Sequence, residues 1–124
     1  MKDTRPVNLD IATIKLPITA YASILHRISG VFLFVAIGVM IYALDLSLSS
    51  AEGFASVGAA LDSLFAKLVV WAVLSGLIYH SVAGVKHLIM DMGYGETYEG
   101  GVLGSRITFL VSAVMIALAG FWVW

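Results

Sequence analysis

The sequence predicts an all-α membrane protein with three transmembrane helices, and three observations carry that prediction. Of its 124 residues, 60% are hydrophobic and 12% charged, and the mean hydropathy is +0.99. A chain so composed has too little polar surface to cover a soluble fold. Three apolar stretches are each long enough to cross a bilayer. Lys and Arg are also spread unevenly over the segments that flank those stretches.

The first span, Ile28–Leu44, reads ISGVFLFVAIGVMIYAL and extends back towards Ser23. The second, Leu68–Val85, reads LVVWAVLSGLIYHSVAGV and continues helically to about Met90. The third, Ile107–Trp124, reads ITFLVSAVMIALAGFWVW. Runs of 17 and 18 residues rise roughly 26–27 Å, close to the hydrocarbon thickness once flanks are added. Lipid offers backbone polar groups no partner, so such runs cross as helices. The expected spans are 23–46, 66–90 and 105–124, after a cytoplasmic or interfacial segment 1–22. All of it forms one membrane domain.

Charge sets the orientation. Lys2, Arg5, Lys15 and Arg27 precede or open the first span, Lys86 and Arg106 flank the second loop, and only Lys67 lies in the first loop. The positive-inside rule then puts the N-terminus in the cytoplasm and the C-terminus outside, with Trp122 and Trp124 at the outer interface. Met1–Asp10 lacks the pattern of a signal peptide, and Asp3 and Asp10 depart from that of a transit peptide. The expectation is a multi-pass protein of the bacterial inner membrane. Pro6 and Pro17 bracket an interfacial stretch, and Pro17 is placed in the first turn of the first long helix. Ser47–Gly58 reads as a small-residue outer loop and Gly93–Gly104 as a Gly-rich cytoplasmic connection.

Several function classes are excluded. A net charge of −1 leaves no basic patch for nucleic acid. Without cysteines the chain has no thiolates for an iron–sulfur cluster, no C-x-x-C-H attachment of haem and no disulfide.

His80 lies inside the second span, where an ionisable ring is costly and is by default a functional-site candidate. Imidazole is also the commonest protein ligand of metals, haem iron included. Gly76, His80, Gly84, His87 and Asp91 recur at spacings of four, four, three and four, so they form one stripe. Two readings of it stay open. The glycines remove bulk beside His80 where a flat macrocycle would approach, or they allow close helix packing with His80 as an interhelical hydrogen-bonding residue. His87 lies roughly 10 Å further along the axis, too far to share one iron with His80. A bis-histidine haem would therefore draw its second ligand from another chain, because His26 is expected near the cytoplasmic interface.

A second polar cluster opens the first span. Ser23 and Arg27 are four apart and share a face, setting a hydroxyl beside a permanent cation. Such a pair suits a quinone carbonyl oxygen as charge builds on it. His26 points about 100° away and suits another group, such as a haem propionate. The competing reading makes Arg27 a snorkelling anchor and Ser23 a helix cap.

The segment RPVNLDIATIKLPITAYASILHRISG, followed by HSVAGVKHLIMDMGY, resembles the cytochrome b membrane-anchor subunits of succinate dehydrogenase, the bacterial form of complex II. The resemblance covers essentially the whole chain, and its motifs are S-x-x-H-R-x-[ST]-G and H-x-x-x-G-x-[RK]-H-x-x-x-D. It implies pairing with a second three-helix anchor subunit, one haem b between them, and one axial histidine from each. His80 matches the axial ligand, and Ser23 and Arg27 match the ubiquinone site. His26 and Arg27 match the propionate contacts, and His87 a histidine near the cofactor. Asp91 matches an acidic residue suited to structure or to proton supply. Lys86 stands where many relatives carry Arg, which keeps the charge but loses the planar fork. The implied partners are a flavoprotein subunit and an iron–sulfur subunit, which would oxidise succinate and deliver its electrons. This chain offers no succinate-oxidising residue. Two alternatives remain: a haem-free anchor of a fumarate reductase-type complex, and a small proton-linked transporter subunit. The second would predict inverted repeats or broken helices, and neither is evident in the sequence.

Overall fold

The computed structural model describes Thr4 and residues 6–124. Lys2 and Arg5, used in the charge asymmetry, lie outside the described residues. The described chain forms α1 (Ile18–Ser49), α2 (Ala51–Leu61), α3 (Leu64–Asp91) and α4 (Tyr98–Val123). Of these, α1, α3 and α4 are long and apolar enough to cross a membrane.

The helix ends depart from the expected ones for local reasons. Pro17, at φ −67° and ψ 159°, is the residue before α1 rather than part of its first turn, and its carbonyl accepts from Ala20 and Tyr21 N–H. With 32 residues, α1 rises roughly 48 Å, well beyond the hydrocarbon layer. The expected outer loop is largely helical. Ser50 is extended, ends α1, and caps α2 by accepting from the Gly53 N–H at 2.9 Å. Ser63 caps α3 in the same way, through the Ala66 N–H. The expected connection 93–104 is also mostly helix. Gly93, at φ +91°, ends α3, and the Tyr94 N–H reaches back to the Ile89 carbonyl. Thr97 then caps α4 through the Gly100 N–H, with Glu99 in the first turn. Gly101 and Gly104 stay helical because neighbours use the space they leave, Thr19 and the stem of Lys86.

The packing is that of a chain dissolved in lipid. Buried positions are mostly small: Ala22, Ser29, Ala36, Ala83, Ser105, Thr108 and Ser112. Large apolar residues face outward, Phe34 at 80% exposure among them. Lipid tails are as apolar as leucine, so helices associate through close contact and hydrogen bonds. The central helix is α3, which packs on both α1 and α4. Trp71 donates from Nε1 to the Ile116 carbonyl at 2.9 Å and meets Trp124 edge-on at 6.0 Å, over the bare backbone of Gly120. Lys86 Nζ donates to Ser105 Oγ at 2.9 Å, and Ser105 donates in turn to the Gly101 carbonyl at 2.8 Å.

Two glycines of α2 give opposite expectations. A Cβ at Gly53 would collide with the Leu46 carbonyl, whereas one at Gly58 would meet nothing. Gly53→Ala should therefore destabilise by about 1–3 kcal/mol, and Gly58→Ala should stabilise by about 0.5–1 kcal/mol. Unfolding midpoints in mild detergent would check both signs.

Candidate functional site: a histidine column between two spans

The site grows from the seam between α1 and α3. Tyr79 is nine-tenths buried and donates its hydroxyl to the Ala22 carbonyl at 2.7 Å. This bond fixes how far α3 slides along α1, and it sets His80 of α3 beside His26 of α1. The two rings stack with centroids 4.3 Å apart and planes 26° apart. His87 approaches His26 from the other side, with centroids 5.0 Å apart. The result is a column in the order His80, His26, His87.

The register of α1 on α3 sets where His26 stands relative to His80. Because α1 starts at Ile18, five residues before the expected start, His26 lies roughly two turns inside the helix. Its ring is level with that of His80. The stripe on α3 is also resolved. Phe32 occupies the space beside Gly76, where a Cβ would lie 2.8 Å from its ring, and the Gly84 position lies 3.8 Å from His26 Nε2. Both glycines thus pack against α1 within the same chain.

The polar atoms of the column are unequally satisfied. His80 Nδ1 lies 3.0 Å from Ser29 Oγ and 3.2 Å from the His26 carbonyl. Among the described residues its Nε2 has no hydrogen-bond partner, and it is not sealed off from the surface of the chain. His26 Nε2, by contrast, is buried and without a partner. Among the described residues no three His, Cys, Asp or Glu side chains are grouped to hold a metal ion. The column therefore presents single donors rather than a ready-made cage.

The remaining expected site residues sit outside the column. Arg27 is exposed and lines an open groove of about 410 Å³ with Ile28, Val31 and Phe32. Ser23 is half-buried one turn earlier on the same helix. Asp91 is exposed at the end of α3, with no side-chain hydrogen bond to His87 among the described residues. The structure thus brings His26, His80 and His87 together and leaves Ser23, Arg27 and Asp91 apart from them. Sequence reasoning assigned no role to Ser29 or Tyr79. The available signal was a hydroxyl inside an apolar span, which needs a partner there.

The profile of the succinate dehydrogenase/fumarate reductase transmembrane subunits matches residues 1–120. The chain belongs to that family. A succinate dehydrogenase cytochrome b556 subunit of Coxiella burnetii is 41% identical over 125 aligned positions, covering all of both chains. A succinate dehydrogenase cytochrome b556 subunit of Paracoccus denitrificans is 28% identical over 94% of this chain and 90% of its own. A succinate dehydrogenase cytochrome b560 subunit of Marchantia polymorpha is 32% identical over 83% and 82%. This family member is a membrane anchor of succinate dehydrogenase, complex II, and its bacterial relatives put it in the inner membrane as a multi-pass protein.

Removing the Tyr79 hydroxyl tests the seam that aligns the family member's histidines. Tyr79→Phe should cost about 0.6 kcal/mol and at most about 1.7, the range of interhelical hydrogen bonds in membranes. Detergent unfolding of the purified complex would measure it.

Proposed function

We propose that this chain is the haem b-binding anchor subunit of a succinate:quinone oxidoreductase, with His80 as one axial ligand of the iron. The observation that carries this is the setting of the His80 ring, with Nδ1 in hydrogen-bond reach of Ser29 Oγ and the His26 carbonyl and Nε2 unpartnered among the described residues. Metal-bound histidines have this form, since the bond at one nitrogen sets the tautomer and leaves the other lone pair for the metal. The residues present fit haem: His80 would supply one imidazole to the iron from this chain, and a second three-helix anchor subunit would supply the other. The buried, unpartnered His26 Nε2 suits a propionate carboxylate, with Arg27 and His87 as further contacts near the cofactor. When bound, haem b supplies a one-electron redox centre.

The quinone-facing work falls to Ser23 and Arg27. The guanidinium and the hydroxyl hydrogen-bond a ubiquinone carbonyl oxygen and stabilise the negative charge that gathers there. Reduction of a quinone takes two electrons and two protons. Arg27 stays charged and a serine hydroxyl is a weak acid, so neither is the proton donor. Asp91, at the exposed end of α3, is suited to proton supply. A flavoprotein and an iron–sulfur subunit would oxidise succinate and dock on the cytoplasmic face, with the N-terminus of this chain on that side and its C-terminus outside.

Two observations favour a second reading, the haem-free anchor. Phe32 fills the gap at Gly76, and Ser29 already satisfies one nitrogen of His80, as a purely packing role would require. A reduced-minus-oxidised absorption spectrum of the complex, purified in mild detergent with succinate as reductant, separates the two. A b-type signal with co-purifying flavin and iron–sulfur subunits supports the proposal; the same subunits without that signal support the alternative.

His80→Leu should abolish or change the b-type spectrum while the three spans still insert, and an unchanged spectrum would refute the ligand assignment. Arg27→Leu should lower succinate-to-quinone activity by an order of magnitude or more, given the loss of a charge-stabilising donor. Electron transfer from succinate to a soluble artificial acceptor should survive; equal loss of both activities would point to failed assembly instead.

A further inference from the structure

We infer that Ser29 is the positioning residue that sets the tautomer and orientation of His80. The inference rests on the proposed ligand role of His80 and adds a residue to it.

Three short contacts form a triangle. Ser29 Oγ donates to the His26 carbonyl at 2.7 Å, His80 Nδ1 lies 3.0 Å from Ser29 Oγ, and the same nitrogen lies 3.2 Å from the His26 carbonyl. Proton bookkeeping decides who donates. A carbonyl only accepts, and the Ser29 proton is already committed to it. Both contacts at Nδ1 are therefore satisfied only when Nδ1 carries the proton and donates it, chiefly to the nearer Ser29 oxygen. Nε2 is then the nitrogen with the free lone pair.

The surroundings make this bond hard to replace. Ser29 is 8% exposed, so water has little access to take over its role. The next residue, Gly30, leaves the ring flush against the α1 backbone, where a Cβ would lie 3.2 Å from His80 Cε1. The His26 carbonyl is a poor substitute acceptor, being farther away and placed to accept the ordinary helical bond four residues on. A donor bond at Nδ1 raises the basicity of the opposite nitrogen, and losing such a support typically costs a metal site 10–100-fold in affinity.

The test uses the assembled complex with Ser29→Ala, Ser29→Cys, Ser29→Thr and His80→Leu. Ser29→Ala should lose haem to excess apomyoglobin roughly 10–100-fold faster than the parent. It should also shift the ferric–ferrous equilibrium towards the ferrous form by up to about tenfold, equivalent to roughly 59 mV for one electron. Ser29→Thr keeps the hydroxyl and should restore both readouts, a rescue that a space-filling role would not produce. Ser29→Cys, a weaker acceptor of similar size, should fall between, and it decides the matter if Ser29→Ala does not assemble. Parental haem loss and potential in Ser29→Ala, or in Ser29→Cys where that variant decides, overturn the inference while leaving His80 as ligand. An unchanged spectrum in His80→Leu overturns the ligand reading itself.

Discussion

The absence of a hydrophobic drive between helices in lipid is the constraint on which the rest of this structure depends. Burying leucine against leucine gains almost nothing when the solvent is itself hydrocarbon. What remains is close backbone approach and the hydrogen bond, whose alternative in lipid is an unsatisfied polar group. The chain uses both. Alanine, glycine, serine and threonine line the interior, while phenylalanine, leucine and isoleucine are turned outward. At each seam a longer polar side chain ties one helix to the next: Tyr79 to the Ala22 carbonyl, Trp71 to the Ile116 carbonyl, and Lys86 to Ser105.

These ties turn a packing problem into a positional one. Small residues allow two helices to slide past each other with little change in contact, so register must come from directional bonds. Tyr79 and Trp71 lie roughly two turns apart on α3 and reach opposite neighbours. Together they pin the central helix to both flanking ones. Register on the α1 side stacks His26 on His80, and that stacking in turn puts Ser29 and the His26 carbonyl within reach of one ring nitrogen.

The spans were legible in the sequence because apolar runs of that length have no other stable home, and the stripe on α3 was legible from helical spacing alone. The ends were not. Residues 98–104 carry three glycines and read as a connection, yet they are helical because Thr97 caps them and the Gly95 backbone and the Thr19 and Lys86 side chains use their missing Cβ volume. Residues 51–58 likewise read as loop, because nothing short of the Ser50 cap distinguishes a small-residue loop from a small-residue helix. The pairing of His26 with His80 was not legible, because it depends on the register between α1 and α3. Ser29 was visible as a hydroxyl in the span, but its partner was not. Its partner lies fifty-one positions away in sequence, and only the tertiary register brings the two together.

The two seams of α3 differ in the kind of polar group they leave without a partner. On the α4 side, Ser105 and Thr108 return their protons to carbonyls of their own helix, and Lys86 adds its donor to Ser105. Ser112 Oγ is unpartnered there, but a hydroxyl on a helix can rotate to the carbonyl one turn back. An imidazole nitrogen has no such local outlet, because its ring is too large to fold onto its own backbone turn. On the α1 side, the buried His26 Nε2 has no partner among the described residues. A polar atom left open in a membrane interior is a standing cost unless something outside the chain completes it. The α4 seam is thus closed by bonds within the chain, whereas the α1 seam keeps an imidazole nitrogen that only a group outside the chain would complete.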